Sequence, residues 1–484
     1  MKKPTVADTM RMKKQTLIRG AIILAVGSFS AKMIGALYRV PLLSLVGGKG
    51  MGFYQLIYPV YCLLLTLSAT GIPSAVATLV AKKKAQGFSE KSVLYTALKL
   101  FSLIGVLGTV FMCLFAPLLA KLQNTREVFL GYLFLAPSVF FTSLIAVFRG
   151  YFQGKKDMRP TAFSETIEQL IKVGFGLLFA YLYRGNLRKT VPLLLLAVTI
   201  SEFFTLGFLY FLYKRDHTPH EQVKNPLFKA EKIEKITNKE ILSLSLPVTF
   251  SSATLPLCSL VESVLIVRLL SGYTSLSVTL YGLYAGGAVT IVNLSVSLCY
   301  GIATASVPSV AESKDGGEKR RKILYALSVT FLSSLVFAIG LFFFAEQGVG
   351  VLFSNLSPFE KRTLVRLVKI LSLSAIFHSC AQTLSACLTA QGKPLHSAIS
   401  LTISVVVRLV LDFILVKNAK ISIFGCAISA NIGYFVAFFI DLVYNMRCSK
   451  GKKKGKGAGY DKGSELGRRE RRFDGERKKR GAFR

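Results

Sequence analysis

Acidic residues are scarce in this chain, and tryptophan is absent. The 484 residues include 25 Asp and Glu against 61 Lys and Arg, which gives a net charge of +36. Histidine occurs 4 times and cysteine 8 times, and no two cysteines form a CxxC pair. These shortages argue against a disulfide framework and against a zinc site, so neither a metal nor a cofactor is expected.

Long apolar stretches are what the chain has instead. Hydrophobic residues make up 52% of it, and the mean hydropathy is +0.50. A helix needs about 20 apolar residues to cross roughly 30 Å of hydrocarbon. The apolar blocks lack the period-two alternation of barrel strands, so their backbone must be satisfied within helices. The predicted fold class is an all-α integral membrane protein with about 12 transmembrane helices in two six-helix lobes around a central cavity.

Twelve spans can be placed along the sequence. The basic N-terminus resembles a signal peptide but lacks a small-residue cleavage site, so we predict a retained first helix. The basic residues lie mostly between spans, and the predicted inner loops hold more of them than the outer loops. The spans are 17–38, 54–81, 93–119, 128–148, 160–183, 191–213, 241–270, 279–311, 323–345, 364–388, 397–416 and 421–444.

The spans and the polar segments define five regions, with both termini predicted to be cytoplasmic. The last region carries 16 Lys or Arg and 8 Gly, so disorder is expected there. Its basic charge makes anionic membrane lipid an expected partner of the tail. The alternative is a solvated tail that only reinforces orientation. The regions are the N-terminus 1–16, the N-lobe 17–213 with helices 1–6, the linker 214–240, the C-lobe 241–444 with helices 7–12, and the tail 445–484.

Three short matches relate the two lobes. They occur in the same order at offsets of 230, 238 and 236 residues, which indicates a duplicated six-helix unit in parallel orientation. Internal repeats of this kind are typical of alternating-access transporters, whose substrate site lies at the repeat interface. The matches are Gly71 and Ala75 with Gly301 and Ala305, Gln153-Gly154-Lys155 with Gln391-Gly392-Lys393, and Lys172 with Arg408.

Charged residues within spans are costly, which makes them the candidate functional residues. In span one, Lys32 and Arg39 are seven residues apart and share a helix face with Ser28 and Gly35. No acid lies on this helix, so Lys32 must face a cavity or a partner on another helix.

Span five presents Glu165, Glu168 and Lys172 on one stripe at i, i+3 and i+7. An alternative to a functional role is that Glu168 and Lys172 simply neutralise each other, four residues apart on one helix.

The second half carries Glu262 and Arg268 in span seven, and Arg408 and Asp412 one turn apart in span eleven. Arg408 and Asp412 can also neutralise each other. Arg39 and Arg268 lie near the outer ends of their spans, where an alternative is that they extend to the lipid headgroups.

Cations outnumber acids among these residues, which favours an anionic ligand such as a pyrophosphate. We predict that Lys32, Arg39 and Arg268 are the main residues that bind the pyrophosphate. Lys172 and Arg408 are second-rank candidates for substrate binding. The carboxylates of Glu165, Glu168, Glu262 and Asp412 are predicted to serve coupling or charge balance.

Other possible sites are weaker. The glycine-rich segment 47–52 resembles a phosphate cradle but lacks the strand–helix unit of one, so a flexible outer turn is expected. His217 and His220 stand in the linker without further metal ligands. Carboxylates in the predicted outer loops are few: Glu127, Glu346 and Glu360. Such scarcity argues against a membrane glycosyltransferase or polymerase, and no enzyme activity is expected.

The first half contains six distinctive segments: GALYRVP at 35–41, GMGFYQLIYP at 50–59, GIPSA at 71–75, RGYFQG at 149–154, MRPTA at 158–162 and EQLIKV at 168–173. They resemble the stage V sporulation protein B family. This family belongs to the polysaccharide-export branch of the multidrug/oligosaccharidyl-lipid/polysaccharide flippase superfamily. The second half resembles it more loosely, through residues 391–393.

The resemblance implies two six-helix lobes, alternating access, and a cargo carried on undecaprenyl pyrophosphate. The sporulation members imply a link to the spore cortex and hence to the peptidoglycan precursor. Some relatives bind sodium in the second lobe. Here Arg408 lies one turn from Asp412, and its guanidinium would compete with sodium for the carboxylate, so no sodium site is expected.

Two other functions stay open. A multidrug antiporter of the sister family would favour an ionisable carboxylate in the first lobe, and Glu165 or Glu168 could supply it. A membrane scaffold for wall synthesis would gain nothing from buried charges. The predicted location is the cell membrane, and no nucleic-acid partner is expected.

The predicted topology can be tested by cysteine labelling. The distribution of Lys and Arg requires the linker to be cytoplasmic. A cysteine at His220 should therefore resist an impermeant thiol reagent added outside the cell, whereas a cysteine at Lys49 should react. Labelling of the cysteine at position 220 from outside would contradict the twelve-span topology.

Overall fold

The computed structural model describes residues 6–86, 88–123, 125–216, 237–311, 313 and 315–449. Most of the linker 214–240 and most of the tail 445–484, together with His217 and His220, lie outside these residues. The α-helices of the described chain are α1 Val6–Leu65, α2 Ile72–Ala85, α3 Lys91–Leu122, α4 Phe129–Gly154, α5 Arg159–Leu182, α6 Leu187–Asp216, α7 Asn238–Ser271, α8 Ser277–Tyr281, α9 Val289–Ala311, α10 Gly316–Phe343, α11 Ala345–Leu352, α12 Pro358–Ala390, α13 Pro394–Val416 and α14 Phe424–Ser449.

Helix α1 is broken once, at Gly47, and thereby forms two arms, 6–46 and 48–65. Gly47 has φ +71° and ψ 177°, a conformation that residues with a Cβ rarely adopt. The expected flexible outer turn over 47–52 is wrong. Apart from this one residue the segment is helical, and Gly48, Gly50 and Gly52 are buried.

The membrane spans agree with the predicted fold. Ten segments of the described chain are long and apolar enough to cross a bilayer. The first of them, Val26–Ala85, contains the break at Gly47 and covers residues 26–38 of the first predicted span and all of the second. Helix α5 is also long enough, with 24 residues, but its charged stripe lowers its hydropathy. These segments account for all twelve predicted spans of an all-α membrane protein.

The packing of the helices repeats between the two halves. In the first half α1 packs on α5, α2 and α3 pack on α4, and α6 packs on α4 and α5. In the second half α7 packs on α13, α9 and α10 pack on α12, and α14 packs on α12 and α13. Each half also contains one π-helical segment, Thr66–Thr70 or Gly282–Ala288, in its second span. The predicted duplication is therefore present in the fold.

The main hydrophobic core joins the two halves towards one end of the bundle, and nearer the other end α2 also packs on α7. We call the end that carries Gly47, Leu122 and α11 the kink face, and the end that carries Asp216 and Asn238 the linker face. The main core contains residues of α1, α4, α7, α12 and the Gly282–Ala288 segment. Nearer the linker face, one cluster lies mainly in the first half and another in the second half.

Helix α4 approaches α2 through a glycine. A Cβ on Gly150 would lie 2.8 Å from the Pro73 carbonyl oxygen and 2.9 Å from the Val76 Cβ. Gly174 of α5, by contrast, has no atom within 4 Å of its Cβ position.

We expect Gly150→Ala to lower the free energy of unfolding by about 1–3 kcal/mol, because α4 must move away from α2. Gly174→Ala should leave stability unchanged or raise it slightly, since alanine favours the helix. The melting temperatures of the two variants in detergent measure this. Equal melting temperatures would contradict the packing of α4 on α2.

Candidate functional site

A cavity of about 670 Å³ lies between α1, α4 and α5, and α9 closes it from the second half. Its wall is formed mainly by the first half, so the two halves contribute unequally to it. The lining residues are Ser28, Ala31, Lys32, Gly35, Ala36, Tyr38, Arg39, Tyr54, Tyr58, Arg149, Glu165, Glu168, Gln169, Lys172, Thr290 and Asn293.

Two helix faces predicted from spacing meet at this cavity. Lys32 and Arg39 line it from α1, together with Ser28 and Gly35. All three residues of the α5 stripe, Glu165, Glu168 and Lys172, line it from the opposite wall. The predicted shared faces are confirmed, and Lys32 faces a cavity as a charge within a span must.

The two carboxylates in the cavity have different partners. Arg149 of α4 donates from Nη2 to Glu168 Oε2 at 2.9 Å and from Nε to Ser164 Oγ at 2.9 Å. Glu165 Oε2 accepts a hydrogen bond from Ser28 Oγ at 2.5 Å. The alternative pairing of Glu168 with Lys172 is therefore wrong, because Arg149 occupies that carboxylate.

Cations are in excess around the cavity. Four of them, Lys32, Arg39, Arg149 and Lys172, face two carboxylates. Within the described residues, neither Lys32 nor Lys172 is within 4.0 Å of a carboxylate oxygen. With every group ionised, the wall carries two positive charges more than negative ones.

Arg39 connects the cavity to the second half. Its guanidinium carbon lies 5.6 Å from the centre of the Tyr58 ring, and Nη1 donates to Thr290 Oγ1 at 3.4 Å. Thr290 belongs to α9. The guanidinium is thus directed into the cavity, which leaves no role for the alternative of Arg39 reaching the headgroups.

Arg268 is not brought to this cavity, and its predicted place beside Lys32 and Arg39 is wrong. Its Nε donates to the Leu122 carbonyl oxygen at 2.8 Å. That carbonyl ends α3, where helical hydrogen bonding leaves carbonyl groups without a partner. Arg268 therefore joins α7 to α3 at the kink face.

The cation predicted in the second half lies at a separate place. Arg408 of α13 pairs through Nη2 with Glu262 of α7, and the same atom donates to Tyr284 Oη at 2.8 Å. Asp412 is buried and accepts a hydrogen bond from Ser429, so the alternative that Arg408 and Asp412 pair with each other is wrong. Arg408 and Glu262 line a second cavity of about 340 Å³ within the second half.

Arg149 is the site residue that the sequence did not single out. It lies five residues before the end of α4 and just beyond the predicted span 128–148, so it did not belong to the charges expected within a span. The resemblance over 149–154 marked the segment without giving Arg149 a role. A helix that extends past the predicted span end is what turns this arginine into a cavity residue.

Solved structures support the fold. An inward-facing multidrug resistance MATE family transporter matches with a TM-score of 0.71 and 17% identity, over 89% of this chain and 98% of that chain. The lipid II flippase MurJ in an inward closed conformation matches with a TM-score of 0.62 and 16% identity, over 87% of both chains. At these identities the two matches support the fold alone, which is two helical lobes with the same packing arrangement.

Two proteins of Bacillus subtilis strain 168 align with most of the sequence. Stage V sporulation protein B is 25% identical over 434 residues, which cover 87% of this chain and 82% of the relative. Lipid II flippase MurJ is 23% identical over 452 residues, which cover 88% and 82%.

The family match fits both halves of the fold. Residues 247–414, which lie in the second half, match the MatE family. Residues 17–298, more than half of the chain, match the family described as polysaccharide biosynthesis protein. The chain is a multi-pass membrane transporter that belongs to the polysaccharide biosynthesis protein family.

Proposed function

We propose that this protein flips an undecaprenyl-pyrophosphate-linked saccharide across the cytoplasmic membrane by alternating access. The observation that carries the proposal is the cation excess in the cavity between α1, α4 and α5. In the described part of the chain, Lys32, Arg39 and Lys172 have no carboxylate oxygen within 4.0 Å, and a pyrophosphate brings the compensating negative charge.

Each cation suits a different part of this task. The planar guanidinium of Arg39 can donate two parallel hydrogen bonds to one phosphate, and it is held in place by Tyr58 and Thr290. Lys32 and Lys172 act as point charges on flexible stems. Arg149 is already paired with Glu168, so it serves charge balance and orientation of the α5 stripe.

The named relatives support a lipid-linked saccharide as cargo. One is called a lipid II flippase and another a stage V sporulation protein, which favours a peptidoglycan precursor, in the spore cortex for example. A polysaccharide repeat unit on the same lipid carrier offers the same pyrophosphate to the cavity. The linker face would open to the cytoplasm, where the cargo is made.

A multidrug antiporter is the second candidate, and one observation favours it. Glu165 lines the cavity and is bonded to a hydroxyl group rather than to a cation. A cationic drug could use this carboxylate. Against it, Lys32, Arg39 and Lys172 would repel such a drug from the same space.

A flipping assay in proteoliposomes tests the proposed function. We expect the protein to translocate undecaprenyl-pyrophosphate-linked saccharides and to leave a cationic dye on its side of the membrane. The carrier without pyrophosphate, undecaprenol with the same sugar, serves as the matched substrate control. Transport of the dye alone would support the antiporter and refute the proposal.

Removal of one cavity charge should slow flipping. We expect Lys32→Gln to reduce transport about ten- to a hundred-fold, because a charge-assisted contact with the pyrophosphate is lost. Lys32→Arg should retain part of the activity, since the charge is kept. Lys99→Gln is the matched control, because Lys99 is an exposed lysine of α3 outside the cavity.

Abundance in the membrane separates a binding role from a structural one. If Lys32 neutralised an acid, Lys32→Gln would fold poorly and a matching change of Glu165 or Glu168 would rescue it. We expect normal abundance with slow flipping. Normal abundance with normal flipping would remove Lys32 from the site.

A further inference from the structure

The two halves are hydrogen-bonded to each other at the kink face. Glu360, at the start of α12, accepts the backbone N–H of Gly48 through Oε1 at 2.9 Å. Arg268 of α7 donates to the Leu122 carbonyl at 2.8 Å. Gln55 of α1 donates from Nε2 to the Ala285 carbonyl at 3.2 Å. The three bonds surround the place where α1 meets the second half.

These bonds use backbone groups at a helix break, at a helix end and in a π-helical segment. The break at Gly47 leaves the Gly48 N–H at the start of a new arm, without a helical acceptor. The Leu122 carbonyl stands at the end of α3, and Ala285 lies in the π-helical segment Gly282–Ala288. A side chain from the other half bonds to each group, so separating the halves breaks three hydrogen bonds.

Glycines bring the two backbones into direct contact at this place. A Cβ on Gly282 would lie 2.0 Å from the Gly48 carbonyl oxygen, and one on Gly52 would lie 2.1 Å from the Val278 carbonyl oxygen. No side chain fits between them. The contact therefore closes the kink face above the cavity, whereas the cavity extends towards the linker face as far as Arg149.

Glu360 has a second bond that links the closure to its own helix. Its Oε2 accepts from the backbone N–H of Ser357 at 3.0 Å, as part of a capping box at the start of α12. One carboxylate thus fixes the first turn of α12 and holds α1 at the same time. An ordinary ion pair on the surface would not require one carboxylate to bond to two helices.

We propose that Glu360 and Arg268 are gating residues that lock the kink face shut, and that both bonds break when the cavity opens to that face. The proposal rests on the alternating access in the proposed function and is independent of the cargo. It also gives a role to Arg268, which does not line the cavity.

Thiol labelling measures the opening without any cargo. The reporter is a cysteine at Asn293, which lines the cavity, in the full chain with its native cysteines replaced. Vesicles of either orientation are treated with an impermeant maleimide, so that reagent reaches one face at a time. In the parent chain we expect labelling from the linker face and slow labelling from the kink face.

We expect Glu360→Ala and Arg268→Gln each to raise labelling from the kink face about tenfold or more, because a charge-assisted hydrogen bond that favours closure is lost. Glu360→Gln keeps an acceptor oxygen and should restore much of the slow labelling. Two controls match these changes. Ser357→Ala disturbs the capping box but leaves the bond to Gly48, and Arg366→Gln removes an exposed arginine of α12.

Either of two results would overturn the proposal. One is unchanged labelling from the kink face in Arg268→Gln, whose position outside the capping box leaves the folding of α12 intact. The other is an equal rise in Ser357→Ala, which would assign the effect of Glu360 to its helix alone. Loss of flipping with unchanged labelling would bear on the cargo site and would count against the gate.

Discussion

A bilayer tolerates charge only where charge is paired or faces water, and the arrangement of this protein follows from that constraint. The cations and carboxylates of α1, α4 and α5 cannot lie against lipid, so these helices must turn their charged faces towards one another. The cavity is the space between those faces. Since cations exceed carboxylates there, the cavity is complete in charge only with an anion inside it, which is why the charge balance says more about function than the fold does.

Much of the site could be predicted from single helices. The face that holds Lys32 and Arg39 and the stripe that ends at Lys172 follow from a period of 3.6 residues. In a membrane span such a charged face must point into the bundle, away from lipid. The number of spans and their duplication also follow from the sequence, because both depend on local hydropathy and on short matches at one offset. These features require no knowledge of which helices are neighbours.

Features that depend on neighbouring helices could not be predicted in this way. Glu168 had Lys172 as its nearest cation along the helix, yet Arg149 of α4 takes its carboxylate because α4 extends past its apolar stretch. Arg268 looked like the counterpart of the α1 cations, yet its side chain donates a hydrogen bond to the carbonyl oxygen of Leu122. A glycine-rich segment in a predicted loop suggested flexibility, whereas its small residues permit contact between two backbones.

The two halves have diverged within one fold, and their difference gives α1 a special position. In the second half Arg408 pairs with Glu262, whereas Lys32 and Lys172 in the first half have no carboxylate oxygen within 4.0 Å among the residues that the structure describes. The first arm of α1 carries Lys32 and Arg39 and ends at Gly47, beside the contact that closes the kink face. An anion bound by these cations therefore contacts the same helical arm that ends at the closure. Displacement of this arm by the cargo would shift the backbone of Gly48 relative to Glu360, so binding and gating can be coupled through one helix without a longer path.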